Sequence, residues 1–69
     1  MNNCYVIYDV ETDINVDVVD YLTCAIGMCT RWEKENPGKT FGYKKAAGSQ
    51  RASAHLIQQN SSKLYNFPE

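Results

Sequence analysis

The groups in this 69-residue chain that could do chemistry are carboxylates near one end, cations near the other, and three thiols with a lone histidine. Residues 1–30 hold Asp9, Glu11, Asp13, Asp17 and Asp20 and no Lys or Arg, whereas residues 36–68 hold Lys39, Lys44, Lys45, Arg51 and Lys63 and no acid. A net charge of -1 conceals this dipole. Such polarity can hold a small fold together, join copies head to tail, or offer separate acidic and basic faces to a partner. The thiols point to no reaction. Cys24 and Cys29, five apart on a helix, diverge by about 140°, and zinc would need both to converge with Cys4 and His55. Cys29 and His55 as a nucleophile and base lack a third, orienting group. Thiols acting as small hydrophobes are the ordinary role, so neither a metal nor a cofactor is expected.

Two stretches carry a likeness to known families. Val6-Ile7-Tyr8-Asp9-Val10-Glu11-Thr12 resembles the first motif of the DnaQ-like 3′–5′ exonucleases, over about seven residues. In that family two carboxylates on one strand face hold the divalent ions that activate water. Asp9 and Glu11, two apart, would share such a face. The family requires further acids on later elements, and after Asp20 the chain has only Glu33, Glu35 and Glu69. The ordinary reading is a strand end with solvated or ion-paired acids. Lys39-Thr40-Phe41-Gly42-Tyr43-Lys44-Lys45 resembles the RNP1 stretch of RNA-recognition and cold-shock domains, which implies stacking of bases on Phe41 and Tyr43 and phosphate contacts from the lysines. Thr40, Lys44 and Ala46 depart from that pattern, no RNP2 partner is evident, and a core role for Phe41 and Tyr43 is favoured. Pro37-Gly38-Lys39-Thr40 spells the end of a phosphate-binding loop, but the glycine needed five positions before Gly38 is Glu33, whose charge would repel phosphate.

The elements that position these groups follow from length and pattern. A chain this short makes one domain and buries only about 60% of the surface its unfolded form exposes. Such domains usually lean on disulfides, a metal or oligomerisation. The odd cysteine count and the lack of a signal-peptide pattern indicate a reducing, cytoplasmic setting, the host cytoplasm for a viral protein. No apolar run reaches the ~20 residues that cross a bilayer, so no membrane is expected as partner. A homo-oligomer, most simply a homodimer, remains open.

Residues 3–10 are β-branched and aromatic enough for a strand, with Cys4, Val6, Tyr8 and Val10 on one face and Tyr5, Ile7 and Asp9 on the other. Both faces are partly apolar, which places the strand mid-sheet or against another subunit. From about Asn15 to Asn36 the spacing predicts the one long helix, capped by Asp13 or Asn15, with Asp17 and Asp20 at its positive end and Lys34 at its negative end. Val18, Leu22, Ala25, Cys29 and Trp32 would form its buried stripe. Asn36-Pro37-Gly38 ends it. Lys39–Ala46 is a second strand. Residues 50–59 fork between a short helix capped by Ser49, which is preferred, and a third strand over 51–58. Residues 63–67 would make a short edge strand stopped by Pro68. The expected class is α+β, one long helix laid on a small sheet, in the order β-α-β-α-β or β-α-β-β-β.

Function is expected at the level of class. Small size and the missing catalytic set point to a non-catalytic interaction protein that binds a protein or nucleoprotein partner and modulates it. A phage or mobile-element inhibitor of a host nucleic-acid machine is the concrete version. Asp9, Glu11, Asp13, Asp17 and Asp20 would bind Lys and Arg that otherwise hold phosphates, although capping and dipole compensation could by themselves explain these acids. The alternative is a small RNA- or DNA-binding module using Lys39, Phe41, Tyr43, Lys44, Lys45, Arg51 and Lys63.

Overall fold

A computed structural model of the chain describes residues 3–58 and 60–68. Strand β1, Asn3–Asp9, is followed by β2, Asn15–Val19, helix α1, Leu22–Glu35, and β3, Phe41–Ala47. A 3-10 turn, Ala54–Leu56, and a short helix α2, Ser61–Leu64, follow. The class is the expected α+β, with one long helix on a three-stranded sheet of order β2-β1-β3. Both pairings are antiparallel, and β1 is the central strand its two apolar faces called for.

Within that class, residues 15–19 correct the expected helix start. Asn15-Val16-Asp17-Val18-Val19 is dominated by β-branched residues, which lose rotamer freedom in a helix and pack well on a pleated surface. The chain reverses over residues 10–14, with Asp13 in the left-handed region at φ 61°, a conformation that Asp tolerates better than most residues. Bonds from Asp13 N–H to Asp9 C=O at 2.8 Å and from Asp9 N–H to Ile14 C=O at 2.9 Å close the turn. A register shift between Ile7 and Tyr8 completes the β1–β2 hairpin. Helix α1 therefore begins only at Leu22. Its N-cap is Tyr21, without a side-chain cap, and no acid lies in its first turn, while Lys34 does sit in the last. Asn36 and the turn through Gly38, at φ 89°, lead into β3.

The sheet has a core on each side. Facing α1, Ile7, Val16, Ala25, Trp32, Phe41 and Tyr65 are buried together, with Cys29 and Met28 at the margin. Of the expected helix stripe, Ala25 and Trp32 are buried, whereas Leu22 is exposed. Val18, on β2, belongs to the opposite core with Cys4 and Val6, which Ala46, Leu56 and Ile57 cover. The segment after β3 is neither the expected helix nor a strand. Ser49 does cap one turn there, its hydroxyl accepting Ala52 N–H at 3.2 Å and its carbonyl Ser53 N–H at 3.0 Å. The 3-10 turn then lays Leu56 over the second face. Gln59, the end of that expected helix, lies outside the described residues.

The tail also departs from expectation. Residues 63–67 pair with no strand among the described residues. The chain forms α2, then crosses to the helix side, where Tyr65 packs edge-on to Phe41 at 5.7 Å and Phe67 edge-on to Trp32 at 4.6 Å. Asn36 fastens it: the side-chain amide donates to Trp32 C=O at 2.9 Å and Asn66 C=O at 2.8 Å, and its oxygen accepts Asn66 N–H at 2.7 Å. A thin core thus gains an aromatic layer from the chain's last residues. No helix among the described residues is long and apolar enough to cross a membrane.

Candidate functional site

The acids of the first half separate into anchors and presented charges. Asp9 ends β1 with only 2% of its surface exposed. Its Oδ1 accepts Glu11 N–H at 2.9 Å, an Asx turn. Its Oδ2 accepts the Tyr65 hydroxyl at 2.5 Å. Tyr65 spends its one proton on that bond, so the 2.9 Å contact between Thr12 Oγ1 and the Tyr65 oxygen is donated by Thr12. The chain Thr12 to Tyr65 to Asp9 ties the hairpin turn to the C-terminal tail. Burial pushes the Asp9 carboxyl up, but the bonds from Tyr65, Glu11 and Thr12 together outweigh it and hold the group below its ordinary value. Burial, then the Asp9 bond, raises Tyr65. Asp9 is therefore ionised, satisfied and enclosed.

Asp17 and Asp20 are also engaged. Asp17 is half-buried on the helix side of β2, its Oδ1 accepting Val18 N–H at 2.8 Å and its Oδ2 the Trp32 indole N–H at 3.3 Å. Exposed Asp20 accepts Gln50 N–H at 2.9 Å, joining the end of β2 to the turn after β3. Neither caps α1. Glu11 and Asp13 remain as exposed carboxylates at the hairpin tip, with Lys44 3.8 Å from Asp13. The five acids thus do not form one face: Asp9 is inside, and the tip carries two.

The basic segment is likewise divided. Phe41 is buried between Trp32 and Tyr65, with ring centroids 5.5 and 5.7 Å away, so the base-stacking role implied by the RNP1 likeness is closed to it. Tyr43 is partly exposed and packs edge-on to Tyr5 at 6.0 Å. Lys39 lies 5.2 Å from the Tyr65 ring centre and Lys44 4.9 Å from that of Tyr8. Lys45, Arg51 and Lys63 are exposed. Lys44 and Lys45 alternate along β3 and so address opposite faces of the sheet.

Asp9 and Glu11 do not form the metal pair of the exonuclease motif, because Glu11 stands beyond the strand end while both Asp9 oxygens are occupied. Among the described residues no three His, Cys, Asp or Glu side chains converge as metal ligands; Glu69 lies outside them. The cysteines are unpaired: Cys4 is buried, Cys29 half-buried and Cys24 exposed. Burial, and secondarily Glu33, raises the Cys29 thiol. His55 is exposed, its ring nitrogen 2.9 Å from Ala52 C=O. The roles of Tyr65, Thr12 and Asn36 in holding the hairpin and tail in place carried no signal in sequence; the Asp-x-Glu-Thr spelling marked the Asx turn but not its distant tyrosine, and Asn36 read only as part of the helix stop. No family model, curated protein or solved structure matches this chain.

Proposed function

We propose that this chain is a small, non-catalytic interaction protein that presents a rigid acidic hairpin to a basic surface of a protein or nucleoprotein partner and modulates that partner. One observation carries the reading. The Asp9–Tyr65–Thr12 chain, buried at Asp9 and Tyr65, fixes the turn that displays Glu11 and Asp13. A turn held in one conformation before encounter loses little freedom on binding, which raises affinity without new contacts. Two carboxylates on such a tip suit Lys and Arg side chains that otherwise hold nucleic-acid phosphates. The concrete version is an inhibitor of a nucleic-acid-handling machine, of the kind a phage or mobile element would carry.

The test is affinity capture from a bacterial lysate with the wild-type chain and with the E11Q/D13N double variant, after native folding of both is verified by circular dichroism. Asn tolerates the left-handed backbone at position 13, so the change removes charge and little else. The proposal expects a nucleic-acid-binding protein to be retained by the wild type, released by salt or by added DNA, and lost with the variant. Equal retention by both chains, or recovery of nucleic acid without protein, overturns it.

A further inference from the structure

The two edges of the sheet are finished differently. On β2 three outward groups are closed from within the chain: Asn15 N–H donates to the Gln58 side chain at 2.7 Å, Asn15 C=O accepts Gln58 N–H at 3.1 Å, and Val18 N–H is taken by Asp17. On β3 the bond from Val10 N–H to Thr40 C=O at 2.9 Å sets the parity of the ladder. With the pairing of β1 and β3, it directs Gly42, Lys44 and Ala46 to β1 and turns Phe41, Tyr43, Lys45 and Ala47 outward. Phe41 N–H is met by Glu33 at 3.0 Å, and Ala47 C=O by Ser53 at 3.3 Å. Among the described residues nothing meets the outward backbone groups of Tyr43 and Lys45. An open edge of this kind is a template for another strand.

Beside it lies apolar surface. Leu22 is 44% exposed, Ile26 51% and Tyr43 41%. Leu22 and Ile26, one turn apart, share the flank of α1 on which Glu33 reaches the start of β3. We infer that β3 pairs antiparallel with β3 of a second copy about a two-fold axis at Tyr43, making a six-stranded sheet with both α1 helices on one face.

A second copy sets Lys45 against Glu33 across the seam, and charge separates this register from those centred on Gly42, Lys44 and Lys45. An axis at Lys45 sets Lys45 against itself, one at Lys44 does the same to Lys44, and one at Gly42 sets Lys45 against Lys39; like charges directly opposite are destabilising. An axis at Tyr43 instead places the two Tyr43 side chains opposite each other and Lys45 opposite Phe41 of the second copy, where Glu33 stands. Phe41 N–H then bonds the Lys45 carbonyl of the other chain, and Glu33 turns to its ammonium. Strands lie about 4.8 Å apart, so helices seated over β1 and β3 of each copy come within roughly 10–14 Å, the reach of facing Leu22 and Ile26 side chains. The interface stands apart from the acidic hairpin and does not depend on its role.

Sedimentation equilibrium of the full chain tests the inference, with Tyr43→Pro and Ile26→Asp as variants. The Tyr43 N–H is unused within the chain, so proline there removes an edge donor and leaves the β1 ladder whole. Ile26→Asp changes an exposed side chain and decides the matter if the proline variant fails to fold. The wild type is expected as a dimer, each variant that folds weakening it by at least about tenfold. Slowed amide exchange at Tyr43 and Lys45 is expected in the wild type and lost in Ile26→Asp. A monomer at every concentration, a dimer that Ile26→Asp leaves intact, or equal exchange in the two chains overturns it.

Discussion

Replacing Tyr65 by Phe removes one oxygen and leaves the ring on Phe41, which isolates the anchor of the hairpin. Oδ2 of Asp9 loses its shortest bond at a position 2% exposed, while the Glu11 N–H stays on the other oxygen and the Thr12 bonds remain. Thr12 is exposed and exchanges its lost partner for water. A hydrogen bond to a charged group contributes about 1.5–3 kcal/mol, so a loss of about 2 kcal/mol at neutral pH is expected. Domains this small rarely hold more than about 3–5 kcal/mol. With a urea slope of about 1 kcal/mol per molar, the midpoint should fall by about 2 M. The pH dependence has a definite sign. Asp9 is held below its ordinary value, so its contribution is complete above about pH 4 and is lost as pH falls through the lowered folded value. In Tyr65→Phe that depression is relieved, and the gap between the two proteins should narrow on acidification. Urea titrations from pH 7 down to about pH 2.5 read both effects. A loss under about 0.5 kcal/mol at neutral pH, or a gap that does not change with pH, would refute the assignment of Asp9 as an ionised, hydrogen-bonded anchor.

Asn36→Ala should cost about 2–3 kcal/mol, because two bonds between the end of α1 and the tail and one within the end of α1 vanish, and the carbonyls of Trp32 and Asn66 lose a donor; calorimetry measures it, and faster exchange of the Asn66 amide locates it. Thiol labelling followed by mass spectrometry should modify exposed Cys24 first, Cys29 slowly because burial and Glu33 disfavour its thiolate, and Cys4 only on unfolding. At alkaline pH the neutral Tyr65 phenol contributes stability below about pH 10, and this contribution is lost as pH rises through its raised value; Tyr65→Phe should lack that alkaline limb. Gly42→Ala should cost under about 1 kcal/mol, since the new Cβ would stand 3.3 Å from the half-buried Tyr8 hydroxyl, whose ring can shift by a few tenths of an ångström.

β1 was legible because two alternating apolar faces occur together only in a strand covered on both sides. α1 was legible through Ala25 and Trp32 and through the Asn36-Pro37-Gly38 stop. Its start was not, because Val18, Leu22 and Ala25 continue a helical spacing back across residues that fold as β2. The run of β-branched residues and the polar turn Glu11-Thr12-Asp13 carried the contrary signal, and tertiary pairing with β1 decided between them. The tail reads as a strand locally, but Tyr65 finds more to bury beside Phe41 and Asp9 than an edge position offers. The acids were legible as a group and illegible as individuals. Burial of Asp9 depends on a tyrosine 56 positions away, and no local pattern encodes that contact. Charge segregation likewise did not produce an internal ion-pair network: among the described residues the two halves meet in the single pair Asp13–Lys44.

Recognition through the anchored hairpin is most directly tested by the salt dependence of partner retention for the wild type, E11Q/D13N and Tyr65→Phe chains at equal folded concentration. The account predicts that E11Q/D13N flattens the salt dependence and abolishes retention at low salt. Tyr65→Phe, which keeps both tip charges but loosens the turn, should weaken retention while preserving the slope. Retention by E11Q/D13N with an unchanged salt slope would contradict it.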